Sequence, residues 1–343
     1  MTDVGALRTD HSIRRFIMGD LDHSGGSDPA FAHDSVMLAE ITEVLAEVPD
    51  GYVVDATLGG AGHADALLAA NDGIALVGLD QDQMALDAAG ARLAPHGDRV
   101  TLRHRRFDGL AEELRSLGIN EVSGVLFDLG VSSPQLDIAA RGFSFRNDGP
   151  LDMRMDQTAS TTAADLVNGL EERALESLLR RNADESHARR IARAVVAARP
   201  IESTAELADI VRDAVPAAAR RKGGHPARRT FQALRIEVNR ELEILDDAVH
   251  QAIDLLAPAG RCAVLSYHSG EDRIVKRRFR DAAGEAPPPR PDLPPPPGYE
   301  AEVRLLWRGA RTPDAAEVDR NPRAEAAKFR AVEKLPIDDS KAA

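Results

Sequence analysis

The segment from Tyr52 to His63, Y-V-V-D-A-T-L-G-G-A-G-H, constrains the fold more than any other part of the chain. An apolar run ends at Asp55, and three glycines then fall within four residues. This pattern predicts a buried strand that enters a turn where another group approaches the backbone closely. A second apolar run, Ile74–Leu79, ends at Asp80, where nucleotide-binding folds place an acid on ribose hydroxyls. The segment therefore predicts a nucleoside-containing cofactor.

The glycine spacing discriminates between cofactors. Gly59, Gly60 and Gly62 do not fit the dinucleotide pattern G-x-G-x-x-G, and no G-K-[ST] follows as in a P-loop. The loop also lacks a Lys or Arg for a phosphate. We therefore expect a ligand with a ribose and no phosphate, such as S-adenosylmethionine (SAM), whose cationic sulfonium tolerates Asp55 and Asp80 nearby. The alternative is an ordinary strand-turn-helix whose glycines serve packing alone.

The composition bounds the class of protein. The 343 residues are 43% apolar and 29% charged, which is typical of a soluble packed protein. The single cysteine, Cys262, excludes an internal disulfide framework and a cysteine-rich metal site. No apolar run has membrane length, so we expect a cytoplasmic protein without a membrane partner. The net charge of −13 opposes nucleic-acid binding, but basic clusters at Arg220–Arg235 and Lys276–Arg280 are compatible with RNA or with solvated helix faces.

Strand and helix patterns alternate until a strand over Val122–Phe127 that ends at Asp128, which predicts an α/β fold with a parallel, doubly wound sheet. Residues 136–230 show helical patterns only, and we interpret them as a helical insert for substrate recognition. A long amphipathic helix over Phe231–Leu256 and a strand at Cys262–Tyr267 then resume the sheet.

The predicted domain boundaries follow from these patterns. Residues 33–135 and 231–312 form the sheet domain, with a final hairpin strand at Val303–Trp307. Residues 1–32 form a mobile extension, and Pro287–Pro297 is an extended connection. Residues 313–343 form a polar tail with one short helix over Ala324–Lys334.

Ligands of open parallel sheets bind outside the carboxyl ends of the strands. Phe107 is placed there to sandwich an adenine ring, or to act as a hydrophobic strand-end residue. Asp128 would face both cofactor and substrate, or cap the following helix. The segment Arg141–Asp156 combines aromatics and arginines, as in nucleobase-stacking and phosphate-holding loops, or it packs on the insert. His63 and His268 are too isolated to indicate a metal, and we expect none.

Several longer segments match one known family. They are H-D-S-V-M-L from His33, the glycine loop to His63, F-D-L-G-V-S-S-P-Q-L-D from Phe127, R-G-F-S-F from Arg141, P-L-D-M-R-M-D from Pro150, H-P-A-R-R-T-F-Q-A-L-R-I-E-V-N-R-E-L from His225, L-S-Y-H-S-G-E-D-R-I-V-K-R-R-F from Leu265, and N-P-R-A-E-A-A-K-F-R from Asn321. From about Phe31 to Leu335 the chain thus resembles the MraW family of bacterial 16S rRNA cytosine-N4 methyltransferases.

This resemblance implies a class I SAM-dependent methyltransferase sheet with an inserted all-helical domain. It implies SAM as methyl donor and transfer to the N4 of a specific cytidine, expected at position 1402, in the decoding centre of 16S rRNA. The expected partner is the assembled small ribosomal subunit, and a homodimer is left open. The cofactor positions carried over are Ala61, Gly62, His63, Asp80, Phe107, Asp128 and Gln135. The chain departs from the family pattern at Ala61, usually a glycine, and at Gly270, usually a larger residue.

The catalytic and substrate-binding roles are expectations as well. We rank Asp128 first as the acceptor that orients the amine, with His268 and Tyr267 as weaker candidates for proton acceptance or base stacking. We expect the target base to leave its stack and to pack on an aromatic side chain. The predicted substrate-binding residues are Phe143, Phe145, Arg154, Arg228 and Arg229.

Two other functions fit parts of the sequence. A DNA or small-molecule methyltransferase would keep the cofactor site, but the large insert with basic patches favours a macromolecular substrate. A non-catalytic RNA-binding assembly module would keep the pocket as a relic, which the intact Asp80, Asp128 and glycine loop disfavour.

Overall fold

The computed structural model describes residues 35–220, 224–285 and 300–336, and a seven-stranded sheet forms its centre. The predicted N-terminal extension and proline-rich connection lie outside the described residues. The strands are β1 Gly51–Asp55, β2 Ile74–Asp80, β3 Val100–His104, β4 Val122–Asp128, β5 Leu256–Ser266, β6 Val303–Leu305 and β7 Lys328–Lys334.

The strand order is β3-β2-β1-β4-β5-β7-β6, which confirms the predicted α/β fold. Strands β1 to β5 pair in parallel, and β7 runs antiparallel to both β5 and β6. The order reverses between β1 and β4, so the carboxyl ends of the parallel strands form a crevice there. We call this edge the carboxyl rim; it comprises Asp55, Asp80, Asp128 and Ser266.

Helices cover both faces of the sheet and build the insert. The α-helices are α1 Leu38–Ala46, α2 Gly62–Ala70, α3 Gln83–Leu93, α4 Leu110–Ser116, α5 Ser133–Asp137, α6 Ala163–Gly169, α7 Glu172–Ala183, α8 Ala188–Ala198, α9 Thr204–Ala214, α10 Ala217–Arg220, α11 Arg228–Asn239, α12 Glu241–Leu255, α13 Ser269–Ala282 and α14 Ala315–Arg320. Short 3-10 helices occupy Ala94–Arg99, Phe107–Gly109, Ala139–Arg141 and Pro322–Ala326. No helix among the described residues is both long and apolar enough to cross a bilayer.

Three hydrophobic cores result from this arrangement. Helices α1, α2 and α3 bury their apolar residues on one face of the sheet, and α4, α12 and α13 on the other. Both faces of the parallel strands are therefore covered, which explains their continuous apolar runs. The third core belongs to the insert and is built by α6 to α9 and α11, together with loop residues such as Phe143 and Met153.

The predicted helix over Phe231–Leu256 is wrong in one respect, because it is two helices. Arg240 separates α11 from α12 with a left-handed backbone, φ 55°. Phe231 in α11 packs in the insert core, whereas Val249 in α12 packs on the sheet. One straight helix cannot point its apolar stripe into two cores, so the chain turns between them. We therefore place the end of the insert at Arg240 instead of residue 230.

The predicted helix over Ala324–Lys334 is also wrong. Within that range only the end of the 3-10 helix Pro322–Ala326 is helical, and Lys328–Lys334 forms strand β7. Phe329 and Ala331 alternate with less buried residues, which is the period of a strand. The expected polar tail thus supplies an inner strand of the sheet, and the predicted hairpin strand is present as β6 beside it.

Candidate active site

Asp80, at the end of β2, holds the glycine loop at the carboxyl rim through a hydrogen bond. Its Oδ2 accepts a hydrogen bond from the Gly59 N–H at 2.8 Å, and its Oδ1 accepts one from the Asp82 N–H at 2.8 Å. Burial raises the pKa of Asp80 to about 6, and these N–H donors oppose the rise. The carboxylate is therefore mostly ionised at neutral pH. Each oxygen keeps a further lone pair, which suits a ribose diol.

The loop itself approaches its neighbours closely. Ala61 precedes α2 with a left-handed backbone, φ 59°. An alanine there costs roughly 1 kcal/mol relative to the glycine usual in the resembling family. At Gly62 a Cβ atom would lie 1.9 Å from Ser35 Oγ, so a larger residue would force the Ser35 hydroxyl to move.

Asp55 does not supply the negative charge expected beside a sulfonium. Its side chain is almost fully buried at the end of β1. Burial raises its pKa to about 8, although the Thr57 N–H donates to Oδ1 at 3.2 Å and opposes the rise. Asp55 is therefore mostly neutral at pH 7, and the charge on the rim comes from other acids.

Asp128, at the end of β4, is held from three sides. Its backbone N–H donates to Thr57 Oγ1 at 2.6 Å, and the Tyr267 hydroxyl donates to Oδ1 at 2.8 Å. His63 Nδ1 lies 3.6 Å from Oδ2. Burial raises the pKa of Asp128, which His63 and the Tyr267 hydrogen bond oppose. The alternative role as a helix cap is wrong, because Ser132 occupies the N-cap of α5.

The structure argues against both weaker candidates for proton acceptance. Tyr267 donates to Asp128, and burial raises the pKa of its hydroxyl well above 10. His268 caps α13, where its Nδ1 accepts from the Gly270 N–H at 3.2 Å. A Cβ atom at Gly270 would lie 3.0 Å from the His268 ring, so the glycine lets the cap fit closely.

Sequence reasoning missed Glu271, which lies beneath these two residues. Its Oε2 accepts hydrogen bonds from the backbone N–H groups of Tyr267 at 2.8 Å and His268 at 3.2 Å. Although burial acts to raise the pKa of Glu271, the nearby His268 and Arg235 hold it below its ordinary value. The H-S-G-E spacing, with an acid three residues after a helix cap, is the signal that would have found it.

Gln135 leads to a second group that sequence reasoning missed. It accepts from the Ser132 N–H at 3.1 Å and donates through Nε2 to Asp82 Oδ2 at 3.0 Å. Arg141 donates to the same oxygen at 2.7 Å, and the two side chains are only 6% and 4% exposed. Arg141 also donates to the carbonyl oxygens of Arg154 and Met155. This buried pair ties the rim to the start of the insert.

Phe107 serves packing more than stacking. The residue is 7% exposed, and its ring meets Phe127 edge-on with centroids 5.9 Å apart. Packing on Phe127 fits the strand-end alternative, and the sandwich with an adenine stays a prediction.

The structure places the predicted substrate residues in different surroundings. Phe143 is buried in the insert core and cannot stack on a base without leaving it. The Arg154 guanidinium is occupied by Asp152 at 2.8 Å on both oxygens and by two backbone carbonyls. Both residues thus make the contacts of the loop-packing alternative, and their binding to substrate stays a prediction. Phe145 is partly exposed, and it stacks on His225 with centroids 4.6 Å apart.

The exposed arginines of the insert include Arg189 and Arg190 on α8 and a pair at the start of α11. Arg228 and Arg229 are exposed, and Arg229 reaches the Asp184 carbonyl oxygen at 3.2 Å. Arg235, from the same basic run, instead forms a largely buried pair with Glu241 at 2.8 Å. The run therefore contributes fewer free charges than its sequence suggests. No group of three His, Cys, Asp or Glu side chains within the described ranges is placed to hold a metal ion.

Comparison with known proteins adds to this geometry. The family model described as the MraW methylase family matches residues 30–335. The chain belongs to the MraW methylase family. It is similar to ribosomal RNA small subunit methyltransferase H of Thermobifida fusca, with 52% identity over 89% of this chain and 94% of that protein. The Saccharopolyspora erythraea protein of the same name is 51% identical over 88% of this chain and 93% of its own.

Solved structures are more distant from this MraW-family chain. An rRNA methylase from Streptococcus thermophilus has a TM-score of 0.41 and 12% identity, and covers 89% of this chain and all of its own. The fold assignment rests on the observed strand order and the family membership.

Proposed function

We propose that this MraW-family methylase transfers the methyl group of SAM to the exocyclic N4 of cytidine 1402 in the decoding centre of 16S rRNA. The names of its relatives support methylation of small-subunit rRNA. The observation that carries the finer proposal is Asp128, a half-buried acceptor fixed at the carboxyl rim beside the glycine loop. An amine that must be oriented needs an acceptor at that place.

SAM would lie in the crevice where the strand order reverses. The ribose hydroxyls would bind Asp80, and the backbone of Ala61, Gly62 and His63 would line the pocket. Phe107 would border the adenine. Gln135 would act from the other side, where its contact with Asp82 holds α5 against the loop.

The chemistry is an in-line displacement. The N4 lone pair is delocalised into the cytosine ring, so the amine is a weak nucleophile. A hydrogen bond from N4–H to Asp128 turns the amine toward the methyl carbon and stabilises the positive charge that develops on nitrogen. The N4–C bond forms as the C–S bond breaks, and the electron pair of that bond stays on sulfur. N4 then loses one proton.

The insert would hold the RNA around the target base. The base leaves its stack to reach the rim. Exposed Arg228 and Arg229, with Arg189 and Arg190 on α8, offer positive charge to the phosphate backbone. We propose the assembled small subunit in the cytoplasm as the substrate, because a decoding-centre base is presented in one geometry only after assembly.

Mass mapping of small-subunit rRNA from cells with and without the protein tests this function. We expect one methyl group on N4 of the target cytidine to disappear when the protein is absent. Purified protein should restore it on subunits and leave bare DNA unmodified. An unchanged modification pattern, or methylation of DNA at a comparable rate, would contradict the proposal.

A further inference from the structure

We infer that His63 and Asp128 form a proton-accepting pair, in which His63 takes over the proton that Asp128 removes from the cytosine amine. The inference rests on the proposed function and adds a role for a residue otherwise expected only to line the cofactor pocket. It starts from the hydrogen bond that His63 makes at Nε2 and from the position of its Nδ1.

One ring nitrogen fixes the tautomer of His63. Nε2 lies 3.0 Å from the carbonyl oxygen of Val36, which can only accept a hydrogen bond. Nε2 therefore carries the hydrogen, and in the neutral ring Nδ1 bears a free lone pair. This lone pair is the basic site of the side chain.

The free nitrogen of His63 faces Asp128. Nδ1 lies 3.6 Å from Oδ2, and the side chains are 5% and 27% exposed for His63 and Asp128 respectively. A nitrogen lone pair and an ionised carboxylate oxygen repel each other unless a proton lies between them. A proton shared between these two atoms would remove the repulsion. Hydrogen bonds between catalytic groups are often longer in a structure without substrate than in the substrate complex.

The two side chains differ in what they can reach. The Asp128 side chain is partly exposed at the rim, whereas the His63 side chain is buried. On its other oxygen Asp128 accepts from Tyr267, so Oδ2 is the oxygen that faces the histidine. Asp128 can thus touch the substrate while His63 touches only Asp128. His63 is therefore a positioning and proton-holding residue.

The proton step balances without a further reactant. After methyl transfer N4 carries a positive charge and two hydrogens. One proton moves to the Asp128 carboxylate, and the N–H electron pair returns to nitrogen. The proton then moves from Oδ2 to His63 Nδ1, which leaves an ion pair of imidazolium and carboxylate. Water removes the proton before the next turnover.

The titratable groups described near the pair are each neutral or already occupied; Glu317, on α14, accepts from the Met37 N–H at 2.6 Å. Asp55, on β1, is mostly neutral at pH 7 because burial raises its pKa to about 8. Tyr267, after β5, is a donor whose hydroxyl stays protonated. Glu271, on α13, is an anion occupied by backbone N–H groups, and its charge adds to the proton affinity of Asp128. The group facing His63 from the segment before α1 is the Val36 carbonyl.

The His63→Gln variant tests the roles of the two ring nitrogens separately. Its amide N–H can still donate to the Val36 carbonyl, but nothing replaces the basic Nδ1. We measure single-turnover methylation of small subunits from pH 5.5 to 9, with SAM affinity by calorimetry. We expect SAM affinity within about twofold, a rate about 10–100-fold lower at pH 7, and an acid limb shifted to higher pH, because His63 no longer opposes the raised pKa of Asp128. An unchanged rate and acid limb would overturn the inference, as would a loss confined to SAM binding.

A second measurement does not need RNA. Nitrogen-15 NMR of the histidine ring follows protonation of His63 Nδ1 in the wild type and in Asp128→Asn. We expect the midpoint for His63 to move to lower pH in the variant, because the facing carboxylate no longer stabilises the imidazolium. An identical midpoint would overturn the pair. A coupled titration in a protein that leaves cytidine unmethylated would instead sink the proposed function and keep the pair.

Discussion

The carboxyl rim and the helical insert both carry many charged side chains but use them differently. On the rim, backbone N–H and hydroxyl donors fix Asp80 and Asp128 and leave oxygen lone pairs free. In the insert, Arg154 braces a loop and Arg235 pairs with Glu241. Strand ends therefore preset reactive groups, whereas charges on helices of an acidic protein mostly pair with each other. The rim should control the chemical step, and the few unpaired arginines of the insert should control RNA affinity.

The largest effect should come from Asp128→Asn. The amide oxygen can still accept from the Tyr267 hydroxyl, so the fold is preserved while the proton acceptor is lost. We expect single-turnover methylation at saturating SAM to fall about 10²–10⁴-fold with unchanged affinity for the subunit. An unchanged rate at saturating SAM would show that the rim does not control the chemistry.

The junction between the two regions should respond in stability. Arg141→Met leaves the Asp82 carboxylate buried without its partner, which should cost about 3–5 kcal/mol of unfolding free energy in urea titrations. Arg146→Met is the matched control, because Arg146 is exposed and should change stability by less than about 0.5 kcal/mol. Equal losses in both variants would mean that the buried pair does not join rim and insert.

The insert should respond in RNA binding. Reversing the charge of Arg228 and Arg229 to Glu should weaken subunit binding about tenfold or more and make the salt dependence shallower, with SAM affinity unchanged. Arg212→Glu serves as control, since Arg212 already pairs with Asp209 and Asp213. Equal losses of SAM and RNA affinity would contradict the separate roles of the rim and the insert.

The smallest effect should come from Asp55→Asn and should depend on pH. The pKa of Asp55 is about 8 in the folded protein, above the ordinary value of 3.8. The folded state therefore holds a proton that the unfolded state releases, and stability falls as pH rises from about 4 to about 8. Asn cannot ionise and keeps the acceptor for the Thr57 N–H. We expect its Tm to exceed that of the wild type by a few degrees at pH 9, and the two to agree near pH 4.

Local patterns predicted the rim because its geometry follows from the strands. The apolar runs before Asp55, Asp80 and Asp128 are buried on both faces, and parallel strands bring their carboxyl ends to one edge. Sequence reasoning could therefore place these acids before any contact was known. It could not predict that burial neutralises Asp55, because burial depends on every surrounding element.

The predictions that the structure did not bear out share a different cause. The segment Lys328–Lys334 has both a charged, helix-like composition and a period of two, and pairing with β5 decides between them. Nothing local distinguishes Arg154, which braces a loop, from Arg228, which faces solvent. The turn at Arg240 follows from the presence of two cores, which a single apolar stripe does not reveal.

The place of β7 in the sheet has a consequence for synthesis. Because β6 reaches the sheet only through β7, a growing chain that has not yet extended past Lys334 cannot seat either strand. Until then β5 offers an unpaired edge, which is the kind of surface on which nascent chains associate wrongly. Translation must therefore pass Lys334 before β7 and β6 can join the sheet. A chain that terminates before β7 would be prone to aggregate.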